Sequence, residues 1–191
     1  MKLNTKSKWF LGILGLIIPM AIALIFSYFM LATNKSTFML ATNKSTFFVP
    51  SAAMEPTLKL GETVTVDKDA YKDGQVQGGD IIILEAPQTV QEADPKIKQL
   101  VKRVIGLPGE TIEGRCENSE VQCAVKIYIN DELINEDYIV DDPPYNIYAP
   151  FGPIVIPEDN VFVMGDNRPR SSDSRQFGPT QTSAIVGKVI D

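Results

Sequence analysis

Three segments of this chain carry residue types that could do acid–base or nucleophilic chemistry. They are Val49-Pro50-Ser51-Ala52-Ala53-Met54-Glu55-Pro56-Thr57-Leu58, Lys102-Arg103-Val104-Ile105-Gly106-Leu107-Pro108-Gly109, and Gly165-Asp166-Asn167-Arg168-Pro169-Arg170-Ser171-Ser172-Asp173-Ser174-Arg175. They offer serine hydroxyls, one lysine, carboxylates and guanidiniums. They do not offer imidazole, because the chain contains no histidine. Histidine is the usual proton shuttle near neutral pH and a common metal ligand, so a Ser-His-Asp triad, a Cys-His dyad and a His-ligated zinc site are excluded by counting. Two cysteines cannot complete a four-thiolate metal site either,. The bases that remain are carboxylates and lysines.

Lys102 shows what such a base would need. At an ordinary pKa near 10.4, a lysine is neutral in only about one molecule in 2,500 at pH 7, which makes it a negligible base. Lowering that pKa by ~3 units costs about 4 kcal/mol of lost charge stabilisation, and requires an apolar setting with no carboxylate close by. A strand over residues 100–104 would put Leu100, Lys102 and Val104 on one face, a position that suits such burial. Otherwise Lys102 is an ordinary solvated lysine beside Arg103. Ser171, taken alone, reads as a turn serine bonded to its own backbone. Asp173 and Arg175, two apart, would lie side by side on a strand, where a surface pair is worth at most ~1 kcal/mol. Gly165, Asp166 and Asn167 read as the turn that presents this segment, and Pro50 and Pro56 would stiffen the loop that carries residues 51 to 54.

The elements that must position these residues are strands. From Phe47 onward, short β-branched runs recur: Thr63 to Val66, Asp80 to Leu84, Leu100 to Ile105, Lys126 to Ile129, Ile154 to Ile156, Asn160 to Met164 and Ala184 to Ile190. Turn signals such as Gly78-Gly79, Leu107-Pro108-Gly109, Asn130-Asp131 and Asp142-Pro143-Pro144 separate them, and no sustained helical period appears,. The pattern predicts an all-β domain, with residues 86–98 as a loop. Cys116 and Cys123 bracket a polar stretch that suits a loop closed by a disulfide in an oxidising compartment, worth about 2 to 2.5 kcal/mol in the chain-entropy model. Two free thiols are the alternative.

The N-terminal part has a different texture. Trp9 to Asn34 contains no charged residue and is long enough to cross a ~30 Å hydrocarbon core as a helix,. It is longer than the apolar region of a cleaved signal and lacks a convincing small-x-small site. Lys2, Lys6 and Lys8 before it predict a cytoplasmic N-terminus, residues 1–8, and an extracytoplasmic remainder,. Phe29 to Thr37 and Phe38 to Thr46 are the same nonapeptide, FMLATNKST. Two undiverged copies carry no repeat architecture and read as a recent duplication or a cloning artefact. The extra copy lengthens a tether over 35–47 by about 13 Å if helical and up to about 30 Å if extended. With 18 Lys+Arg against 24 Asp+Glu, the net charge is −6, and no basic surplus exists to bind nucleic acid,.

The three segments, together with Gly79-Asp80-Ile81-Ile82-Ile83-Leu84 and the anchor, stand in the order found in bacterial type I signal peptidases, which this chain closely resembles. The resemblance implies a membrane-anchored Ser/Lys serine protease of the cytoplasmic membrane. Its partners would be the lipid bilayer and the signal peptides of exported preproteins, and it would need no cofactor or metal. It implies a mainly β fold: a catalytic β domain over 48–110 and 154–191, and a smaller β insert over 111–153 holding Cys116 and Cys123. Lys102 matches the general base, Ser171 the serine that orients it, and Ser51 the hydroxyl that helps form the oxyanion hole. Met54 would lie beside the scissile bond, with Asp166, Asn167, Asp173 and Arg175 in support, the last two as an ion pair. Arg103 receives no part in that scheme. The nucleophile position is Ala53, and a methyl group cannot attack a carbonyl. The resemblance therefore implies a nucleophile-deleted protease that still binds substrate; the alternative is a naturally non-catalytic, membrane-anchored peptide-binding homologue. Self-cleaving repressors share Ser/Lys chemistry, but they would need a DNA-binding domain where this chain has an anchor.

Overall fold

The β-branched runs pair into two antiparallel sheets. The computed structural model describes residues 43–72, 74–116, 124–139 and 149–190, all within one compact unit, Asn43–Asp191. In chain order the strands are β1 (Lys44–Phe48), β2 (Thr63–Asp67), β3 (Ile81–Glu85), β4 (Gln99–Gly106), β5 (Thr111–Cys116), β6 (Val125–Ile129), β7 (Glu132–Leu133), β8 (Phe151–Val155), β9 (Asn160–Met164), β10 (Thr180–Gln181) and β11 (Ile185–Val189). The first sheet is seven-stranded in the order β1-β2-β11-β3-β4-β9-β10, and the second is four-stranded in the order β7-β6-β5-β8. The second sheet is thus built wholly from Thr111–Val155.

The interior strands are the most apolar. β3 and β9 flank β4, and Ile82, Ile83, Leu84, Val161, Phe162, Val163 and Met164 are all buried. Because side chains alternate across a strand, the first sheet carries a core on each face. Val101 and Ile83 point into one with Val49, Met54, Leu58, Val64 and Val66; Val104 and Ile82 point into the other with Leu84, Val161 and Val163. A third cluster, Ile105, Ile112, Ile127, Ile156, Phe162 and Met164, joins the ends of β4 and β9 to the second sheet.

Three expectations change. Residues 44–47, assigned to the tether, form most of β1, pairing from Lys44 opposite Asp67 to Phe47 opposite Val64. Phe47 packs on the Val64 core, so the last residues of the second nonapeptide belong to the fold. The loop over 86–98 contains a short helix, α1 (Gln88–Ala93), with no buried residue and so no apolar stripe to announce it,. Asp173 and Arg175 do not share a strand. Asp173 is the N-cap of α2 (Ser174–Phe177), accepting from Arg175 N while the Gln176 side chain returns to the Asp173 N–H, a capping box that outweighs extended pairing,. The anchor expected over 9–34 and the cytoplasmic N-terminus expected over 1–8 fall outside the described residues. Among the described residues no helix is long and apolar enough to cross a membrane.

Candidate active site

The site is built where three chain segments meet at the centre of the first sheet. The first is a 3-10 turn, Ala52–Met54. Its loop is pinned by Val49 N donating to Glu62 O at 2.8 Å and Gly61 N donating to Val49 O at 2.9 Å. Met54, expected to touch substrate, has no exposed surface; its side chain is an apolar anchor in the core, which is the favoured place for a large thioether,. Ala53 is 5% exposed. Its N–H lies in the first turn, where a helix leaves donors unpaired. Ser51 precedes the turn in extended conformation, is exposed, and spends no hydroxyl bond on capping it.

The second segment is β4, which packs against that turn. Lys102, opposite Ile82, is 3% exposed. Among the described residues it has no hydrogen bond or ion pair. Burial strips water from its charged form and brings its pKa down to about 8; the Asp173 carboxylate opposes this, the Arg175 guanidinium adds to it, and the Asp166 carboxylate opposes it,. Both carboxylates are already occupied. Arg103 Nε and Nη2 close on Asp166 at 2.8 and 2.6 Å, and Arg175 Nε and Nη2 close on Asp173 at 2.7 and 2.8 Å. The latter pair is buried rather than at the surface.

The third segment runs from the end of β9 through Arg175. Asn167 N donates to the Ala53 carbonyl at 3.1 Å, and Asn167 Nδ2 to the Ala52 carbonyl at 3.0 Å. Thr57 Oγ1 donates to Asp166 Oδ2 at 2.5 Å, and Gly165 N to Asp173 Oδ2 at 3.0 Å. The approach is close: a Cβ on Gly165 would stand 2.3 Å from Ser171 Oγ and 2.4 Å from the Ala53 carbonyl oxygen. Ser171 Oγ is buried and has no hydrogen-bond partner among the described residues. A buried hydroxyl without a partner is uncommon and marks a place where another group is expected.

The structure therefore brings Ala53, Lys102, Ser171, Asp166, Asn167, Asp173 and Arg175 into one neighbourhood, with Ser51 at its exposed edge. Cys116 is disulfide-bonded; Cys123 lies outside the described residues. Sequence reasoning missed Arg103, Thr57 and Arg168. Nothing local marks Arg103, whose partner Asp166 is 63 residues away; Thr57 stands in a quoted motif and was passed over. No group of three or more potential metal ligands lies together among the described residues.

A family described as "Signal peptidase, peptidase S26" matches residues 18–190. The chain is 35% identical over 144 residues to a probable signal peptidase I-1 of Synechocystis sp., covering 75% of this chain and 67% of that protein. It is 32% identical over 144 residues to a signal peptidase I of Leptolyngbya laminosa, covering 75% and 65%, so the match spans about two thirds of these two relatives. It is 32% identical over 193 residues to a signal peptidase I of Bacillus amyloliquefaciens, covering 97% and 84%.

Proposed function

This chain belongs to the signal peptidase family, peptidase S26, and from that premise we propose that it is built to remove signal peptides from exported preproteins by Ser/Lys chemistry, and stands here without its nucleophile. With serine at residue 53, neutral Lys102 takes the hydroxyl proton as the oxygen attacks the peptide carbonyl. The oxyanion is received by the residue 53 N–H and the Ser51 hydroxyl, each such donor being worth ~3 kcal/mol in the transition state. The proton held by Lys102 passes to the leaving amine. Lys102 then deprotonates the water that hydrolyses the acyl-enzyme. Ser171 Oγ, which holds no other hydrogen bond among the described residues, would turn to the neutral Lys102 amine and orient it, and the two Arg–carboxylate pairs keep Asp166 and Asp173 from capturing it as an ammonium. With Ala53 there is no hydroxyl for Lys102 to deprotonate and no oxygen to attack the carbonyl, and the site binds signal peptides without cutting them.

The observation that carries this reading is Lys102: a lysine 3% exposed, unpaired among the described residues, with its pKa brought to about 8. A lysine kept for stability alone would be solvated or paired. Around it we place a single membrane span over 9–34, residues 1–8 in the cytoplasm, both sheets outside the cytoplasmic membrane, and a Cys116–Cys123 bond that suits that compartment. Ala53 itself favours a second reading, a natural peptide-binding homologue that has lost the chemistry.

The base is tested in an Ala53→Ser background. Lys102→Ala should abolish turnover in a folded protein, while loss of the exposed Lys98 should change little. Arg103 is unsuitable as the control, because it pairs the buried Asp166. Equal, small effects of the two lysine changes would remove Lys102 from the mechanism.

A further inference from the structure

One segment that the reaction scheme leaves idle reaches the site from the second sheet. After β7, Ile134 N donates to Ile127 O at 3.1 Å, and Ile134 and Tyr138 pack on the cluster that contains Ile105, Phe162 and Met164. Between them, Glu136 receives the Arg168 guanidinium on both oxygens, Nη1 to Oε2 at 3.2 Å and Nη2 to Oε1. The Arg168 side chain is fully buried and that of Glu136 is 7% exposed. Tyr138 lies under Arg103, whose guanidinium carbon is 4.0 Å from the ring centroid, and its hydroxyl donates to Glu136 Oε1 at 3.0 Å. Two side chains of one short segment thus hold two arginines of the site.

Those arginines grip the bend that faces residue 53. Arg168 Nε donates to Gly165 O at 3.2 Å, and Arg103 holds both oxygens of Asp166. The next residue, Asn167, holds the carbonyls of residues 52 and 53. A buried ion pair is a weak device for stability, since apolar residues of similar volume often do as well. A two-pronged guanidinium–carboxylate contact also fixes orientation.

We propose that Glu136 and Tyr138 are positioning residues, which fix Arg168 and Arg103 and through them the Gly165–Asn167 bend that places the backbone of residues 52 and 53. The second sheet then supplies part of the site's geometry. This rests on residue 53 being the nucleophile position, so the first test needs no turnover. In the full chain as it stands, Glu136→Gln should speed hydrogen exchange of the Gly165 and Asn167 amides by about tenfold or more, while the amides of β3 and β4 keep their parent rates. Unchanged exchange at Asn167, or equal acceleration throughout the sheet, would overturn the proposal. Tyr138→Phe keeps the ring and removes only the O–H; should Glu136→Gln fail to fold, Tyr138→Phe should give a smaller acceleration at the same two amides, and the same outcomes decide. In an Ala53→Ser chain that turns over, Glu136→Gln should lower kcat about tenfold or more with KM within about twofold, and Glu136→Asp should recover part of the loss. A folded Glu136→Gln variant with parental kcat would contradict the assignment. An inactive Ala53→Ser parent would instead count against the function proposed above, and the exchange result would still decide this inference.

Discussion

Lys102 carries a thermodynamic cost that can be measured without any substrate. Its pKa is about 8 in the folded chain against 10.5 for a solvated lysine. Below pH 8 it is protonated in both folded and unfolded states, and the folded state bears the whole penalty of a poorly solvated ammonium, ~3 kcal/mol at 1.36 kcal/mol per unit. Between pH 8 and 10.5 the unfolded chain holds the proton and the folded one does not, so stability rises with pH. Lys102→Met keeps most of the apolar stem and removes the charge. It should stabilise the fold at pH 7 by up to about 3 kcal/mol in urea unfolding, with the gain fading as pH approaches 10.5. A destabilising or pH-independent effect would mean that the amine is hydrated or paired. At this scale the sequence was partly informative: a place between Leu100 and Val104 on a strand fits burial of Lys102 but also fits an ordinary solvated lysine, and it is the three motifs taken together that favour the buried one. The same strand gave no hint of Arg103's role, because a guanidinium beside a lysine looks like solvent-facing charge until Asp166 and Tyr138 arrive from elsewhere in the chain.

The elements position these side chains through backbone contacts that no local pattern encodes. Gly165 is the narrowest point, with the Ala53 carbonyl and the Ser171 hydroxyl both inside the space of a methyl group. Gly165→Ala should push the third segment off the 3-10 turn, destabilising the fold by about 1–3 kcal/mol. In an Ala53→Ser chain it should also reduce turnover well beyond the fraction unfolded, read by comparing kcat with the unfolding midpoint. Parental activity there would show that the close packing is incidental. The interior strands β3 and β9 were legible, because strands buried on both faces are continuous apolar runs, and β4 was legible from the apolar and β-branched residues on either side of Lys102-Arg103. β1 was not, because Lys44-Ser45-Thr46-Phe47-Phe48 is mostly polar and gains its strand character from pairing with β2. α1 and α2 are too short to show a helical period, although Asp173 followed three residues later by Gln176 is a capping-box signal that the sequence did display.

At the scale of the whole molecule, the β unit follows an N-terminal run whose composition is that expected of an anchor,. The uncharged run from Trp9 to Asn34 predicts that the full chain sediments with membranes and is released by detergent but not by carbonate or high salt,. Release by salt would reduce the association to surface charge, which a chain of net charge −6 is poorly made to supply,. The division of the β unit was partly visible in advance, since the resemblance set residues 111–153 apart as a smaller β insert, against a second sheet built from Thr111–Val155. That Glu136 and Tyr138 reach from that segment into the site was not, because the contact is made by single side chains across long sequence separation. On the proposed mechanism, the missing hydroxyl at residue 53 is all that separates this chain from a working peptidase. Ala53→Ser is therefore to be assayed, across pH, against a preprotein with small residues at −1 and −3. Cleavage is expected after that site, with kcat/KM rising to half its plateau near the Lys102 pKa of about 8,. A folded Ala53→Ser chain that binds the preprotein and never cuts it would contradict that claim and leave the peptide-binding reading in its place.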